Sequence, residues 1–426
     1  MSDARYQPLP GFRDFTPREY ALRAYLFNAW RSVAHRYGFV EWEAPTVEPT
    51  DLYLKKSGGE LPTQLFRFKD QGDRDISLRP ELTASLGRMV AACHLDYNKP
   101  LKWFEIGSCF RYEKPQKGRL REFVQFNADI LGESGVGADA ELLALAIDCM
   151  RKLGFSSADF VVRVSDREVW LRYAAEHGIP EERTGDFLAV VDKFERDRPE
   201  VCEEKLQAFG LTRDQLVEFI QNPPAGVSPR YEEVLEDLKA RGLAEYVQLD
   251  LCVVRGLAYY TGLVFEIFDK AHSLRAVAGG GRYDRLVSTL SDDAVDMPAT
   301  GFAMGDAVIA HLIESCPNAR ALRDAALEPH TCDVCLVLAA PEMRQQMLFL
   351  ASTLRDAGVS VDMPLAWSKM AKQLRHAERI GATYAAIIGS EYPEIELKRL
   401  ATRESKRLML EDLISELIPR HETECC

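Results

Sequence analysis

Two long alternating segments joined by a basic loop constrain the fold of this chain more than any other feature. Residues 101–113, LKWFEIGSCFRYE, and residues 123–132, FVQFNADILG, alternate apolar and polar side chains over the length of a strand. Two such runs around a polar loop predict antiparallel strands. A shorter pair, FRFKD and ISLRP on either side of QGDRD, repeats the pattern. The sequence therefore predicts an antiparallel sheet.

Helical patterns lie on both sides of these strands. Residues 17–37 carry apolar side chains at helical spacing, with Thr16 as the predicted N-cap and Pro17 at the first helical position. Residues 138–153 have an acid near the start, a base at the end and a broad apolar face, which predicts a helix covering the sheet. Residues 169–246 are charge-rich and mostly helical in pattern, and we interpret them as a helical insertion.

The pattern changes towards the C-terminus. We interpret residues 315–330 as a linker, after which strand-like and helix-like segments alternate from CDVCLVLA to ATYAAIIG. This alternation predicts a compact α/β domain with a largely parallel sheet. The expected fold class is α+β, with a first domain at residues 1–325 and a second at residues 326–426, as suits a chain of 426 residues.

The charge balance limits the classes of partner. The chain has 53 basic and 66 acidic residues, and a net charge of −13 argues against a protein that coats nucleic acid nonspecifically. Two stretches are locally basic: residues 114–121 carry four positive charges, and residues 369–407 carry nine Lys and Arg against five Glu. Each stretch is either a solvated surface or a contact site for an anionic partner.

The apolar runs and the cysteines indicate the compartment. No apolar run approaches the roughly 18 residues of a membrane span, and the start of the chain lacks the apolar core of a secretory signal. The cysteines are mostly scattered singly, which suits reduced thiols. These features predict a cytoplasmic protein that does not associate with membranes.

One pair of cysteines raises the alternative of a zinc site. Cys332 and Cys335 form a C-x2-C pair, and His330 stands two residues before it. No second Cys or His pair lies nearby in the sequence, and CDVCLVLAA favours a buried strand. We therefore predict that the chain itself contributes no metal site.

Arginines and glycines mark a candidate site. Arg111 begins the basic loop between the long strands, a position suited to a phosphate or a nucleic-acid end, although a solvated hairpin is the alternative. Arg255 lies in an otherwise apolar segment, where a buried charge needs an anionic partner. The glycines at 279–281, followed by Arg282 and Tyr283, predict either a close backbone approach to a ligand or a bulged hairpin.

Five segments along the first domain carry recognisable motifs: LRPELTA (78–84), FRYEKPQKGRLREFVQFNADILG (110–132), VVRGLAYYTGLVFE (253–266), AGGGRYDRLV (278–287) and GFAMGD (301–306). They occur in the order found in histidyl-tRNA synthetases, and the chain is similar to that family over nearly its whole length. GFVEWEAPTVEP resembles class II motif 1, with Pro45 at the dimer-interface position, and SKMAKQLRHAERIGATYAAIIG resembles the family's anticodon-binding domain. The resemblance implies a class II catalytic domain with flanking helices, and a homodimer.

The resemblance also implies an activity and residue roles. A histidine–tRNA ligase activates histidine with ATP and Mg²⁺ and then transfers it to the 3′ end of tRNA(His). Arg111 and Arg255 resemble the catalytic arginines that hold the α-phosphate of ATP from two sides. ATP contacts are further implied for Glu113 and Arg119, and contacts with the acceptor end of tRNA(His) for Gln116 and Arg121.

Histidine binding is implied for a set of polar residues. They correspond to positions that hold the amino group and imidazole of histidine: Glu81, Thr83, Gln125, Asp129, Tyr260 and Tyr283. An imidazole offers one donor and one acceptor, which a buried carboxylate and a tyrosine can satisfy together.

The chain departs from the family pattern at two positions. Val308 stands where GFAMGLER places an arginine that contacts the γ-phosphate, and Ala258 stands where RGLDYY is usual. Asp306 is expected either to assist a magnesium ion or to cap the following helix. The missing arginine points to an alternative function, that of a non-aminoacylating relative acting as a histidine-sensing regulatory subunit or a tRNA-sensing domain. Arg111, Arg255 and the C-terminal domain favour the ligase.

Overall fold

The computed structural model describes residues 6–54, 61–114, 119–255, 259–271, 275–327 and 332–417. The chain divides into two compact units, Met1–Asp324 and Ala325–Cys426. Within the described ranges, no helix is both long and apolar enough to cross a membrane.

The first unit is built on a mixed sheet. Its described strands are β1 (Val40–Glu41), β2 (Val47–Pro49), β3 (Arg67–Lys69), β4 (Asp75–Leu78), β5 (Leu101–Phe110), β6 (Glu122–Leu131), β7 (Phe160–Asp166), β8 (Val247–Leu249), β9 (Leu263–Asp269), β10 (Ala278–Arg282) and β11 (Ala299–Gly305). The main sheet has the order β1-β5-β6-β11-β10-β9-β7-β8, and β2-β4-β3 forms a small separate sheet. Neighbours in the main sheet are antiparallel except at the two edges, where β1 with β5 and β7 with β8 run parallel.

Helices surround this sheet. Those described in the first unit are α1 (Pro17–Arg36), α2 (Asp51–Leu54), α3 (Thr83–Cys93), α4 (Val136–Lys152), α5 (Arg167–Glu176), α6 (Glu181–Asp192), α7 (Pro199–Gln207), α8 (Arg213–Gln221), α9 (Pro229–Ala240), α10 (Leu286–Leu290), α11 (Asp306–Ser315) and α12 (Pro317–Ala326). Short 3₁₀ helices occupy Leu61–Gln64, His94–Asp96 and Ala244–Tyr246. The α+β class predicted from the sequence is confirmed.

The long hairpin predicted from alternation is the centre of the main sheet. Strands β5 and β6 pair antiparallel along their full length, from Leu101 opposite Leu131 to Phe110 opposite Glu122. Alternate residues face the helices, and the Trp30 ring of α1 stacks on Phe126 of β6 with a centroid distance of 5.5 Å. Because one face of the hairpin is covered, the opposite face of β6 is available to build a site.

The helices predicted around the hairpin are also present. Helix α1 begins after Thr16, whose backbone N–H donates to the Glu19 carboxylate at 2.9 Å, as in a capping box. Helix α4 packs on β6 and β11 through a wide apolar face that is almost wholly buried. Together these two helices close one side of the sheet.

The charge-rich stretch after β7 divides between two hydrophobic cores. Helices α5 to α8 enclose a core of their own around Trp170 and Phe187. Helix α9 instead packs on α4 and β7, and its Val234 and Leu238 belong to the main core. The last helix of the stretch is therefore part of the sheet's own covering layer.

The expected linker at 315–330 is in its larger part a helix, so that expectation is wrong. Helix α12 begins with a proline at its first position and continues through an Ala-rich sequence, and both features favour helix formation. Asn318 donates from Nδ2 to the Gly154 carbonyl at 2.7 Å, and Ala319 is buried against the main core. Residues 328–331 lie outside the described ranges.

The second unit is an α/β domain. It contains β12 (Val334–Leu338), α13 (Arg344–Asp356), β13 (Val361–Asp362), α14 (Met370–Arg379), β14 (Tyr384–Ile388), β15 (Glu394–Arg399), β16 (Ser405–Met409) and α15 (Leu410–Leu417), with a 3₁₀ helix at Pro341–Met343. The sheet order is β13-β12-β14-β15-β16. The first three strands are parallel, as the alternation predicts, whereas β15 and β16 continue the sheet antiparallel.

The C-x2-C pair lies at the start of β12, with Cys335 on the strand and Cys332 just before it. Cys332 and Cys335 are buried free thiols that pack against Ala377 and Ala382. Burial raises the pKa of Cys335 to about 12, so its thiol stays protonated. His330, the third member of the zinc alternative, lies outside the described residues.

Candidate active site

Two arginines line one wide cleft on the open face of the main sheet. Arg111 follows β5, donates from Nε to the Pro80 carbonyl at 3.0 Å and stacks over the Phe123 ring. Arg255 stands in the connection between β8 and β9 and lines the same cleft, whose volume is about 600 Å³. This volume suits a small-molecule ligand, and the paired guanidinium groups suit a phosphate.

Arg255 is held in an uncommon backbone conformation. Its φ angle is +57°, a left-handed value that non-glycine residues seldom adopt and that concentrates at functional sites. Its guanidinium donates to the Phe265 carbonyl at 3.3 Å, and a Glu266 carboxylate oxygen lies 4.0 Å away, at the outer limit of an ion pair. The anionic partner expected for this arginine is therefore only weakly supplied by the protein.

The three glycines of β10 make room for protein groups. A Cβ atom at Gly279 would overlap the Arg255 guanidinium, and one at Gly280 would lie 2.5 Å from the Cβ of Phe302. Gly281 packs in the same way against the backbone of Val264. The glycine run thus leaves space for Arg255 and lets β10 pack closely against β9 and β11. It forms a regular strand and not the bulged hairpin that the sequence left as an alternative.

A narrow polar recess of about 50 Å³ adjoins the two arginines. The histidine-binding candidates that line it are Glu81, Thr83, Gln125, Tyr260 and Tyr283. Asp129, the remaining candidate, lies behind this lining, and the Tyr283 hydroxyl donates to its carboxylate. Burial and the negative charge of Asp129 raise the pKa of Tyr283 well above its usual value. The recess therefore offers a buried carboxylate and several tyrosine hydroxyls to a small polar ligand.

Two residues of the recess were missed by the sequence interpretation. Asn127 is 2% exposed, its Nδ2 donates to Thr83 Oγ1 at 3.3 Å, and its Oδ1 has no hydrogen-bond partner within the described part of the chain. Tyr259 packs edge to face against Tyr283. The strand period could have identified Asn127, because residues 125, 127 and 129 share one face of β6.

The basic loop contributes a further arginine to the cleft. Arg119 Nε lies 2.7 Å from a Glu113 carboxylate oxygen, and both residues line the cleft beside Arg111. Arg121 lies at the base of the loop, where its guanidinium stacks over Tyr112 and donates to the Glu113 carbonyl at 3.2 Å. Gln116 lies outside the described residues, as does Ala258.

Asp306 joins three segments at the edge of the cleft. It is the first residue of α11, behind Gly305 at the N-cap, and is 3% exposed. Its carboxylate accepts from the Val124 backbone N–H at 3.1 Å and from Arg13 at 3.0 Å. Asp306 therefore fixes the helix to β6 and to the N-terminal segment, and the N-cap expected at Asp306 is at Gly305 instead. Val308 lines the cleft two residues further on.

Two further arginines of the first unit form buried ion pairs and line neither the cleft nor the recess. Arg79 donates to Glu105 at 2.7 Å and also to the Ala44 and Ser108 carbonyls. Arg282, which follows the glycine run, is likewise buried and pairs with Asp139 at 2.9 Å. These two arginines are thus structural residues, unlike Arg111 and Arg255.

The Glu105 carboxyl gives the stability of the protein a testable pH dependence. Burial raises its pKa from 4.5 to about 7, although Arg79 opposes the shift. Between these pH values the folded protein keeps a proton that the unfolded chain releases, so this group's contribution to the free energy of unfolding falls as the pH rises. We expect the stability difference between wild type and Glu105→Gln to fall by up to about 1.4 kcal/mol per pH unit in this window. Denaturant unfolding of both proteins from pH 5 to 8 measures it, and parallel curves would contradict the prediction.

The second unit has a basic cleft of about 580 Å³ beside α14. Lys372, Arg375 and Arg379 line it together with His376, whose Nε2 lies 2.8 Å from the Asp362 carboxylate. Part of the basic stretch 369–407 therefore lines a concave surface, whereas β16 carries other members of it on an exposed strand. Within the ranges described, no group of three or more His, Cys, Asp or Glu residues is placed to hold a metal ion.

Comparisons with known proteins agree over both units. A family model for histidyl-tRNA synthetase matches residues 11–307, and an anticodon-binding domain model matches residues 333–420. A histidine–tRNA ligase from Opitutus terrae is 40% identical over 94% of this chain and 95% of its own length. The chloroplast and mitochondrial histidine–tRNA ligase of Arabidopsis thaliana is 36% identical over 95% of this chain and 85% of its own length. The crystal structure of a histidyl-tRNA synthetase from Nostoc sp. PCC 7120 covers 97% of this chain and 99% of its own, with a TM-score of 0.77 at 23% identity, which shows the shared fold.

Proposed function

The chain belongs to the histidyl-tRNA synthetase family, and on that basis we propose that it is a histidine–tRNA ligase that forms histidyl-adenylate from histidine and ATP and then charges tRNA(His). The observation that carries the proposal is the junction of two sites. Arg111 and Arg255 line both the wide cleft and the polar recess that holds Tyr260 and Tyr283. A ligand that fills both can therefore place a small polar side chain in the recess and a phosphate beside the two guanidinium groups.

In this proposal histidine occupies the recess. The Tyr283 hydroxyl, which donates its proton to Asp129, accepts from one imidazole N–H, so the pair binds the ring as an acceptor. Glu81, Thr83 and the unpartnered Oδ1 of Asn127 are acceptors for the α-ammonium group. Amino acids without an imidazole leave these buried groups unpaired, which gives strong discrimination.

Activation requires no nucleophile from the protein. A carboxylate oxygen of histidine attacks the α-phosphorus of ATP, the bond from that phosphorus to the β-phosphate oxygen breaks, and pyrophosphate leaves with the electron pair. Arg111 and Arg255 on either side stabilise the negative charge that builds up on the α-phosphate. Gln125 and Tyr260 position the carboxylate next to them.

Magnesium enters this scheme as part of the substrate. Mg²⁺ prefers oxygen ligands, keeps several waters and is commonly held by substrate phosphates with one or two carboxylates. Glu266 and Glu113 line the cleft and could contact such an ion through water. We therefore propose MgATP as the form that binds.

We assign the two basic regions to tRNA. The loop that contains Arg119 and Arg121, together with Gln116, is proposed to receive the acceptor end, and the cleft beside α14 with Arg375 and Arg379 to receive the anticodon. Phosphate contacts from arginine suit both surfaces.

A substitution at Arg121 should affect the transfer to tRNA but not the activation of histidine. Its guanidinium stacks over Tyr112 at the loop base, and it is absent from the lining of the ATP cleft. We expect Arg121→Ala to keep histidine-dependent ATP–pyrophosphate exchange within about threefold of wild type and to slow transfer to tRNA by about 10-fold or more, as loss of a charged contact implies. Rapid-quench measurement of each step tests this, and equal losses in both steps would contradict it.

We further propose a homodimer that works in the cytoplasm. Strand β1 lies at the edge of the main sheet, where Val40 is 61% exposed, in the segment that resembles class II motif 1. Two-fold symmetric dimers are the commonest oligomers of soluble proteins. The free thiols of the described cysteines suit a reducing compartment. Light scattering of the purified protein measures the oligomeric state.

The deciding experiment is ATP–pyrophosphate exchange with each amino acid in turn. We expect exchange with histidine alone, followed by charging of a tRNA(His) transcript. Absence of exchange from a folded protein that still binds histidine would overturn the ligase and favour the regulatory or sensing alternative. The curated relatives reported above are named as ligases.

A further inference from the structure

The ATP cleft lacks an arginine at the start of α11 but has one, Arg275, just before β10. Val308 lines the cleft, and its aliphatic side chain packs partly against the main core. Arg275 lines the same cleft and is exposed to solvent. Both residues lie at the end of the cleft where β10 begins and β11 ends, as the pairing of the strands shows.

Backbone hydrogen bonds fix this proximity. Val277 donates its N–H to the Ile267 carbonyl at 2.8 Å and accepts from the Gly305 N–H at 3.3 Å. Arg275 therefore stands two residues from the bonded partner of Gly305, and Val308 stands three residues beyond Gly305 on α11. Ala278 opposite Met304 continues the same register.

Among the described residues, three further cations line the cleft besides Arg111, Arg255 and Arg275, namely Lys193, Arg119 and Arg196. Arg119 is paired with Glu113. Arg196, at the end of the α6 segment, donates to Asp192 at 3.1 Å and also to its carbonyl at 2.8 Å. Arg13, beside Asp306, does not line the cleft. Backbone pairing between Val277 and Gly305 brings Arg275 close to the first turn of α11, where Val308 lies.

We propose that Arg275 binds the terminal phosphates of ATP and stabilises the departing pyrophosphate, in place of an arginine at position 308. This inference rests on the proposed ligase activity. When the bond from the α-phosphorus to the β-phosphate oxygen breaks, the electron pair moves onto pyrophosphate, and a guanidinium can hold two of its oxygens at once. Glu266 and Asp306 line the same cleft, and a cation at this end would offset the repulsion between these carboxylates and the triphosphate.

The test compares how a substitution at Arg275 changes KM for ATP and KM for histidine. We expect Arg275→Ala to raise KM for ATP in pyrophosphate exchange by about 10- to 100-fold, while KM for histidine stays within about twofold, since a charged hydrogen bond to one substrate is lost. Arg275→Lys should retain part of the affinity because the charge remains. Arg285→Ala, which removes an exposed arginine outside the cleft lining, is the matched control.

A second substitution separates a binding role from a structural one. We expect Val308→Arg, introduced into the Arg275→Ala protein, to recover most of the lost ATP affinity, because the cation returns to the same end of the cleft. An unchanged KM for ATP in Arg275→Ala would overturn the proposal, and so would equal losses for ATP and histidine. If wild type shows no exchange at all, the ligase proposal fails, and calorimetric titration of MgATP into wild type and Arg275→Ala still decides the role of Arg275.

Discussion

Replacing Arg255 with alanine should reduce histidine-dependent pyrophosphate exchange by about 10²- to 10³-fold, the usual cost of removing one preorganised donor from a developing oxyanion. The reason lies in how the arginine is held. Gly279 leaves the space for its guanidinium, and the left-handed backbone at Arg255 directs it into the cleft beside Arg111. Single-turnover kinetics with saturating ATP and histidine measure the effect on the chemical step.

Stability and charge controls accompany this variant. Alanine meets the same backbone strain as arginine, so we expect the unfolding temperature of Arg255→Ala to change little. Arg255→Lys keeps the charge but lacks the fork that holds two oxygens, and we expect intermediate activity. Near-normal exchange by Arg255→Ala would show that Arg111 alone suffices and would refute the two-sided arrangement.

Replacing Gly301 with alanine should abolish histidine binding while preserving the fold. Gly301 lies on β11 opposite Asp129, and a methyl group there would overlap the Asp129 carboxylate and lie 2.8 Å from the Tyr283 hydroxyl. The recess is only about 50 Å³, so it has no room to absorb the added group. We expect KM for histidine to rise at least about 100-fold, and exchange measured against histidine concentration tests this.

Gly137→Ala is the matched control for this substitution. Gly137 lies in α4, and a Cβ there meets nothing within 4 Å. We expect this variant to keep the KM for histidine of wild type. If Gly301→Ala binds histidine normally, the recess is not the histidine site, and the assignment of Asp129 and Tyr283 fails with it.

Elements with strong local patterns could be predicted from the sequence. The alternation of apolar and polar residues predicts the β5 and β6 hairpin, and the capping residues and apolar spacing predict α1. The antiparallel extension by β15 and β16 could not be predicted in this way, because pairing between strands is a property of the whole sheet. Helix α12 was mistaken for a linker because charged and small residues obscure its single buried face.

In the site, too, residues within sequence motifs could be predicted, whereas contacts between distant segments could not. The resemblance supplied most residues of the recess, but it did not indicate that the missing side chain of Gly279 leaves the space that the Arg255 guanidinium occupies. It also gave no sign that Asp306 bonds to Arg13, which is 293 residues away in the chain. Contacts of this kind depend on tertiary packing and leave no periodic signal in the sequence.

The bond between Arg13 and Asp306 has an evolutionary consequence. A carboxylate that is 3% exposed is costly without its partner, so neither residue can be exchanged alone without loss of stability. Sequences that carry leucine at position 306 have no such charge to satisfy and no need for arginine at position 13. The two positions should therefore vary together among relatives. The residue at position 13 should predict whether position 306, almost three hundred residues later, carries aspartate or leucine.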